Sequence, residues 1–264
     1  MIAKPNHLAP EYASVFSDRS VVDAYQHRPA YQPEAFEILA TLITDGPRTV
    51  LDLGCGRGDL ARSLVEHAER VDAVDVSAAM IETGKRMANG DDPRLHWIHG
   101  SAEDASLTPP YALVVAGDSL HWMNWYVVLP RIASVLTPHG YLTLAIVGWQ
   151  PLPWDYGPVC NKYSLNRDYQ PYNLLDELTK RGLFEPVGKW QTQPVPFTQS
   201  VDDYVESFHA RNGLSRDRMT AEQATAFDHD MRVLVEPFAT NNTVTLQVIN
   251  TITWGKPAPM NDNQ

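Results

Sequence analysis

An α/β fold, a mostly parallel sheet with helices on both faces, is what three features of this sequence predict. Apolar runs near residues 50–53, 71–76, 95–99, 111–116 and 141–147 alternate with helical patterns, the order in which crossover helices link parallel strands. Glycines at 54, 56 and 58 follow the first run directly, where a tight turn must join a strand to the next helix. A final run, 243–254, sets Val244, Leu246 and Val248 alternately with polar residues and reads as a strand with one buried face.

After the first strand, ending at Leu53, the chain continues Gly54-Cys55-Gly56-Arg57-Gly58-Asp59-Leu60, and a helical pattern runs on through Leu64, Val65 and Ala68. Glycine lets this backbone approach a ligand closely, and the free N–H groups opening the helix can face a polar group. The dinucleotide fingerprint G-x-G-x-x-G would place its third glycine at position 59, where Asp59 stands. The string Asp52-Leu53-Gly54-Cys55-Gly56-x-Gly58 instead resembles motif I of the class I S-adenosylmethionine-dependent methyltransferases. That resemblance implies a Rossmann-like, seven-stranded sheet whose last strand runs antiparallel beside the fifth. It also implies S-adenosyl-L-methionine as cofactor, with Asp52, Gly54, Cys55 and Gly56 around it and Cys55 serving as a small packing residue.

Asp75 closes the second strand roughly 20 residues past the glycines, where a carboxylate accepts hydrogen bonds from ribose hydroxyls. Val76 follows it. Ser77 suits an N-cap, and Ala78, Met80, Ile81 and Met87 give the next helix an apolar face, with Met80 placed to pack on adenine. Gly100-Ser101-Ala102-Glu103 resembles the family's adenine-binding G-D-A-E loop and departs from it at Ser101, a shorter, neutral acceptor. Backbone around Ala102 is the alternative carrier of adenine recognition. Upstream, Tyr25-x-x-Arg28-Pro29-x-Tyr31 resembles the segment that closes over the cofactor in several small-molecule members, which implicates Tyr25 and Arg28. Gly117, after the fourth strand, completes the cofactor set.

The rest of the chain organises around this core. Residues 1–20 read as a mobile polar arm with a short helix at 12–16, and Pro33 opens a helix carrying Phe36, Leu39 and Ile43. A helix over 125–136 is bent by Pro130, and Thr137-Pro138-His139-Gly140 reads as a turn. Residues 148–171 show no period and many prolines and aromatics, as a lid or substrate loop does. A helix over 173–180 ends at Gly182, and a strand covers 184–191. Two inserted helices fall within 201–236, the second opened by a Thr220/Gln223 capping box, and Gly255 onward reads as tail. Three stretches result: arm and cap helix 1–46, cofactor core 47–147, and lid, inserted helices and final strands 148–264.

Lys and Arg number 21 against 32 Asp and Glu, a net charge of −11, with no basic run. A phosphate-tracking surface needs the opposite balance, so nucleic acid is excluded as a partner. Two cysteines, Cys55 and Cys160, make no disulfide framework and suit a reducing compartment. No apolar stretch reaches membrane-spanning length and the N-terminus lacks a signal-peptide core, so a cytoplasmic protein without membrane contact is expected; a homodimer is left open. No Cys/His spacing suits a metal.

The resemblance implies methyl transfer to an O, N or C atom of a small organic molecule. S-adenosylmethionine brings an activated methyl group, so the protein needs to align the nucleophile and, where it carries a proton, remove it. Leu120-His121-Trp122 is a common form of the family's segment after the fourth strand, and His121 is the candidate general base, with an ordinary pKa near 6.5. Asp118, Trp122 and Trp149 are the candidate substrate contacts. An alternative keeps the scaffold and the bound cofactor but catalyses a decarboxylation or cyclisation, because fold does not fix chemistry. A non-catalytic regulatory subunit is a further alternative, set against an intact glycine loop.

Overall fold

Apolar residues on both sides of five strands create the parallel half of the sheet. In the computed structural model, which describes residues 4–258, these are β1 (Thr49–Leu53), β2 (Arg70–Asp75), β3 (Leu95–His99), β4 (Tyr111–Gly117) and β5 (Leu136–Trp149), ordered β3-β2-β1-β4-β5. Every residue of β1 is buried, as a strand covered on two faces requires. Period-2 alternation divides the strands between two cores. Leu51, Leu53, Val114 and Leu142 face one layer, and Val50, Val71, Leu113 and Val115 face the other.

The helices that fill those layers follow in chain order. The N-terminal arm forms α1 (Pro10–Ala13) and α2 (Arg19–Ala24), and α3 (Pro33–Thr41) packs Ala35 and Leu39 on the second layer with Ala61 and Leu64 of α4 (Ala61–Leu64). After β2, Ser77 caps α5 (Ala78–Lys85) by accepting from the Met80 N–H at 3.3 Å. Helix α6 (Trp125–Val135) contains Pro130 and buries Trp125, Val128 and Ile132 on the first layer. Beyond β5 come α7 (Gly157–Tyr163), α8 (Leu174–Lys180), β6 (Phe184–Gln191), β7 (Val195–Ser200), α9 (Val201–His209), α10 (Ala221–Val235) and β8 (Thr243–Pro257).

Strand β8 is antiparallel and lies between β5 and β6, as the resemblance implied. It begins at Thr243, as expected, and its first half has a partner that the sequence did not show. Residues 243–248 pair with β7, all but Val248 running past the end of β5, so the sheet has eight strands rather than seven. The β7–β8 ribbon carries α9 and α10 on a separate core of Tyr204, Phe208, Phe227, Met231 and Leu246. The Thr220/Gln223 capping box is present, with reciprocal bonds of 3.2 and 3.0 Å.

Other expectations need correction. The arm is folded onto the rest of the chain, with its own Leu8 and Val15 buried, as are Val21 and Val22 just beyond it; its residues 1–3 lie outside the described residues. The helix after the glycine loop stops at Leu64 because the next bonds, from Glu66 to Ser63 and His67 to Leu64, tighten into a three-residue spacing. Residues 137–140 form an irregular bulge inside β5, with Thr137 and Gly140 buried, rather than a free turn. Within 148–171, α7 is helical, and Gly255 to Pro257 continue β8; the tail beyond residue 258 lies outside the described residues.

Candidate active site

Where β1 ends, the chain passes through three glycines with positive φ: Gly54 (+68°), Gly56 (+56°) and Gly58 (+74°). A Cβ on Gly54 would stand 2.5 Å from Ser119 Cβ, so the loop closes against β4 only with glycine there. At Gly56 a Cβ would meet nothing, and the backbone borders open space. Asp75 fixes this geometry from the neighbouring strand. Its Oδ2 accepts from the Gly56 N–H and its Oδ1 from the Ser77 N–H, each at 2.7 Å. Burial raises the Asp75 pKa and the two amides draw it back, while each oxygen keeps a further lone pair.

Beside this loop lies a cleft of about 160 Å³. Gly54, Gly56 and Asp75 form its polar side, and Val76, Met80 and Ala102 its apolar side, with Tyr25, Glu103 and Gly117 at its edges. A diol on Asp75 and a flat heterocycle against Met80 match that division. A smaller recess of about 50 Å³ continues below Gly56, bounded by Asp52, Cys55, Arg28 and Tyr31. Asp52 is 1% exposed; its Oδ2 accepts from the Ala61 N–H at 3.1 Å and its Oδ1 has no partner. Burial pushes its pKa up to about 8. Arg28 stacks on Tyr25 at 4.9 Å and donates to its hydroxyl at 3.1 Å. An orphaned carboxylate oxygen and a half-buried guanidinium in one recess fit the ammonium and carboxylate of an amino-acid moiety.

Asp118 borders both of these spaces and a third, larger cavity of about 630 Å³. It adopts φ +47°, a region Asp tolerates better than most residues, and is pinned by its N–H donating to Ala145 O at 3.0 Å. Burial raises its carboxyl pKa and the Arg28 charge offsets this. His121 and Trp122 sit in the single 3-10 turn after β4, with ring centroids 4.7 Å apart. Phe16 of the arm packs on Trp122 at 5.5 Å, and Tyr172 meets His121 edge-on at 6.2 Å. Burial, then the positive charges of Lys4 and Arg28, pushes the His121 pKa down to about 3. The imidazole is therefore neutral throughout the physiological range, and the ordinary value expected from sequence does not hold.

The fold thus gathers every candidate except one around three connected spaces. Ser101 donates its hydroxyl to Asp104 Oδ1 at 2.6 Å and lines none of them, because the short side chain closes its own turn. Glu103 also spends Oε1 on the Asn124 N–H at 2.7 Å. Sequence reasoning missed Phe16, Tyr172, Gln199 and Arg211, which also line the large cavity. They belong to no local motif and arrive there only when arm and lid pack together. Among the described residues, no group of three His, Cys, Asp or Glu side chains could hold a metal ion, and no helix is long and apolar enough to cross a membrane.

Residues 50–140 match the model of a methyltransferase domain. An uncharacterised methyltransferase of Mycobacterium tuberculosis is 35% identical over 127 residues, 47% of this chain and 49% of that protein. A malonyl-[acyl-carrier protein] O-methyltransferase of Priestia megaterium is 29% identical over 140 residues, half of each chain. The chain thus spans about half the length of the curated relatives it matches. Among solved structures, one from Anaeromyxobacter dehalogenans, provisionally named a type II methyltransferase, superposes with a TM-score of 0.61 at 21% identity, over 88% of this chain and 99% of that one. A Haemonchus contortus phosphoethanolamine N-methyltransferase, solved with S-adenosylhomocysteine, gives 0.54 at 16% identity, over 94% and 60%. At these identities the likeness speaks for the fold.

Proposed function

We propose, from the premise that this chain belongs to the class I S-adenosylmethionine-dependent methyltransferases, that it transfers a methyl group to a small organic molecule held in the 630 Å³ cavity. The observation that carries this reading is the Gly56–Asp75 bond at the mouth of a cleft that opens, past Asp118, into a separate aromatic chamber. When bound, the cofactor supplies an electrophilic methyl group on a sulfonium. Asp75 would take the ribose hydroxyls, Val76, Met80 and Ala102 the adenine, and Asp52 and Arg28 the charged amino-acid end. Gly54, Cys55, Gly56 and Gly117 provide the close backbone surface, with Tyr25 above it.

On the substrate side, Asp118, Trp122 and Trp149 border the chamber, and the aromatic walls favour a cationic methyl donor beside them. His121 contributes as a neutral hydrogen-bond acceptor that aims the nucleophile. With its pKa near 3 it is too weakly basic to strip a hydroxyl, so a nucleophile that arrives deprotonated suits this site. The net charge and the absence of a basic run support a small-molecule substrate over nucleic acid. The test is transfer of a labelled methyl group from S-adenosylmethionine to members of a small-molecule panel. Cofactor consumption without label in any product would support the decarboxylation or cyclisation alternative instead.

A further inference from the structure

The lid end of the large cavity contains a cation without a counter-charge. Arg211 follows α9, and its guanidinium lies over the rings of Phe208 at 4.0 Å, Tyr156 at 5.1 Å and Trp149 at 5.3 Å. Among the described residues no carboxylate pairs with it and no acceptor takes its side-chain N–H groups. Arg216 and Arg218, which follow it in the lid, are matched: Arg216 pairs with Glu206 and Asp228, and Arg218 with Asp18. Asp155, in the same part of the lid, is exposed and accepts from the Gly157 N–H. The other charges on the cavity, Arg28 and Asp118, offset one another.

A second observation points to a ligand at this place. Gln199, on β7, borders the same cavity with its side chain about nine-tenths buried, and its Oε1 has no hydrogen-bond partner. Tyr204 is also there; its hydroxyl accepts from Trp154 Nε1 at 2.8 Å and so has its own proton left to donate. The Tyr204 hydroxyl proton and the Arg211 guanidinium are donors that an anion can accept from, whereas the Gln199 Oε1 is an acceptor left for a donor elsewhere on the same ligand. Of these, the buried Gln199 oxygen is left unsatisfied at a cost unless a polar group reaches it.

We infer that Arg211 is the anchor for a carboxylate carried by the substrate, whose apolar or aromatic body fills the space between Trp149 and Trp122. The planar guanidinium offers the parallel N–H pair that a carboxylate accepts. One unmatched positive charge neutralises one carboxylate, whereas a phosphate dianion would leave an uncompensated negative charge in an aromatic chamber. The inference rests on the methyltransferase reading and narrows its substrate to organic acids.

Calorimetry on the full chain saturated with S-adenosylhomocysteine tests it, with phenylacetate, phenyl phosphate and neutral phenylacetamide as probes. Phenylacetate is expected to bind at least about tenfold more tightly than phenylacetamide, the size of a charged hydrogen-bonded contact. Arg211→Gln should bring those two probes to near equality while S-adenosylhomocysteine binds as before. Arg211→Lys, which keeps charge and much of the packing, should retain a reduced preference, and this separates lost charge from a collapsed lid. Equal binding of the two probes by the unaltered protein, no saturable binding of phenylacetate, or a preference that survives Arg211→Gln would overturn the anchor. Tighter binding of phenyl phosphate would overturn the choice of carboxylate. Failure of S-adenosylhomocysteine itself to bind would instead remove the parent reading.

Discussion

The Gly56 N–H and the Asp75 carboxylate, 2.7 Å apart, tie the glycine loop after β1 to the end of β2. One side chain thereby holds the loop open and presents its remaining lone pairs to the cleft. Because both oxygens are engaged by backbone amides, removing the carboxylate strips the loop of its brace as well as the proposed ribose contact. Asp75→Ala should therefore weaken S-adenosylmethionine and S-adenosylhomocysteine alike, by about 1.5–3 kcal/mol or somewhat more. Asp75→Asn, which keeps one acceptor, should lose less. Unchanged calorimetric affinity for both ligands in the alanine variant would remove Asp75 from the cofactor site.

His121 gives a prediction about pH. A group whose pKa lies near 3 is neutral across roughly pH 5–8, so turnover should show no step at the ordinary histidine value. His121→Asn should lower turnover by about 10²-fold through misplacement of the nucleophile, and leave S-adenosylhomocysteine affinity close to normal. A rate inflection near pH 6.5 (an ordinary histidine) that disappears in His121→Asn would show that the imidazole titrates after all and acts as a base.

Asp52 should trade stability for binding. Its folded pKa, about 8, lies above the unfolded value near 3.9. Between those values the folded state holds a proton that the unfolded chain has released, so this residue's contribution to stability falls as pH rises through that window. Asp52→Asn does not titrate. The ligand-free variant should therefore gain on the unaltered protein as pH climbs from 5 to 8, reaching an advantage of about 1–3 kcal/mol, while losing cofactor affinity. Urea unfolding at several pH values measures the difference. A gap that stays constant with pH would place the Asp52 pKa near its ordinary value.

Much of the core was legible because local chemistry dictated it. Asp52, the glycines and Asp75 must occupy a strand, a tight turn and a strand end for any ligand to be cradled there, and those constraints act over a few residues. Ser77, Thr220 and Gln223 were readable for the same reason, since a cap bonds to amides two or three positions away. The lid resisted because its order is tertiary. β7 shows little alternation, with five of its six residues exposed or half-exposed and apolar and polar side chains in mixed order, and it is held by pairing with the far end of β8. Ser101 misled because it occupies an aspartate's place in a recognisable loop, yet satisfies a neighbour, Asp104. Arg211 gave no signal at all: its meaning lies in the absence of a partner, which only three dimensions reveal.

The arm and the lid are joined at Asp18, and that joint should govern how the site opens. Asp18 lies just before α2 and accepts from Arg218 Nε at 2.6 Å, Arg218 Nη2 at 3.0 Å and Ser215 Oγ at 2.7 Å. Two residues earlier, Phe16 borders both the cofactor cleft and the large cavity. Releasing Asp18 therefore frees the element that roofs both spaces. The Asp18 side chain is 16% exposed and triply bonded, so solvent screens it less than an ordinary surface pair. Asp18→Asn should cost about 1–2 kcal/mol of local order, which speeds amide exchange over residues 10–27 about 5–30-fold and hastens release of S-adenosylhomocysteine. The sheet should keep its protection, because β1 and β4 do not depend on the arm for pairing. Asp23→Asn is the matched control: Asp23 pairs with Arg19 within α2, with side chains 57% and 73% exposed, and its loss should change exchange only slightly. Equal exchange in the two variants would mean that the Asp18 joint does not hold the roof, and that the aromatic packing of Phe16 on Trp122 does so alone.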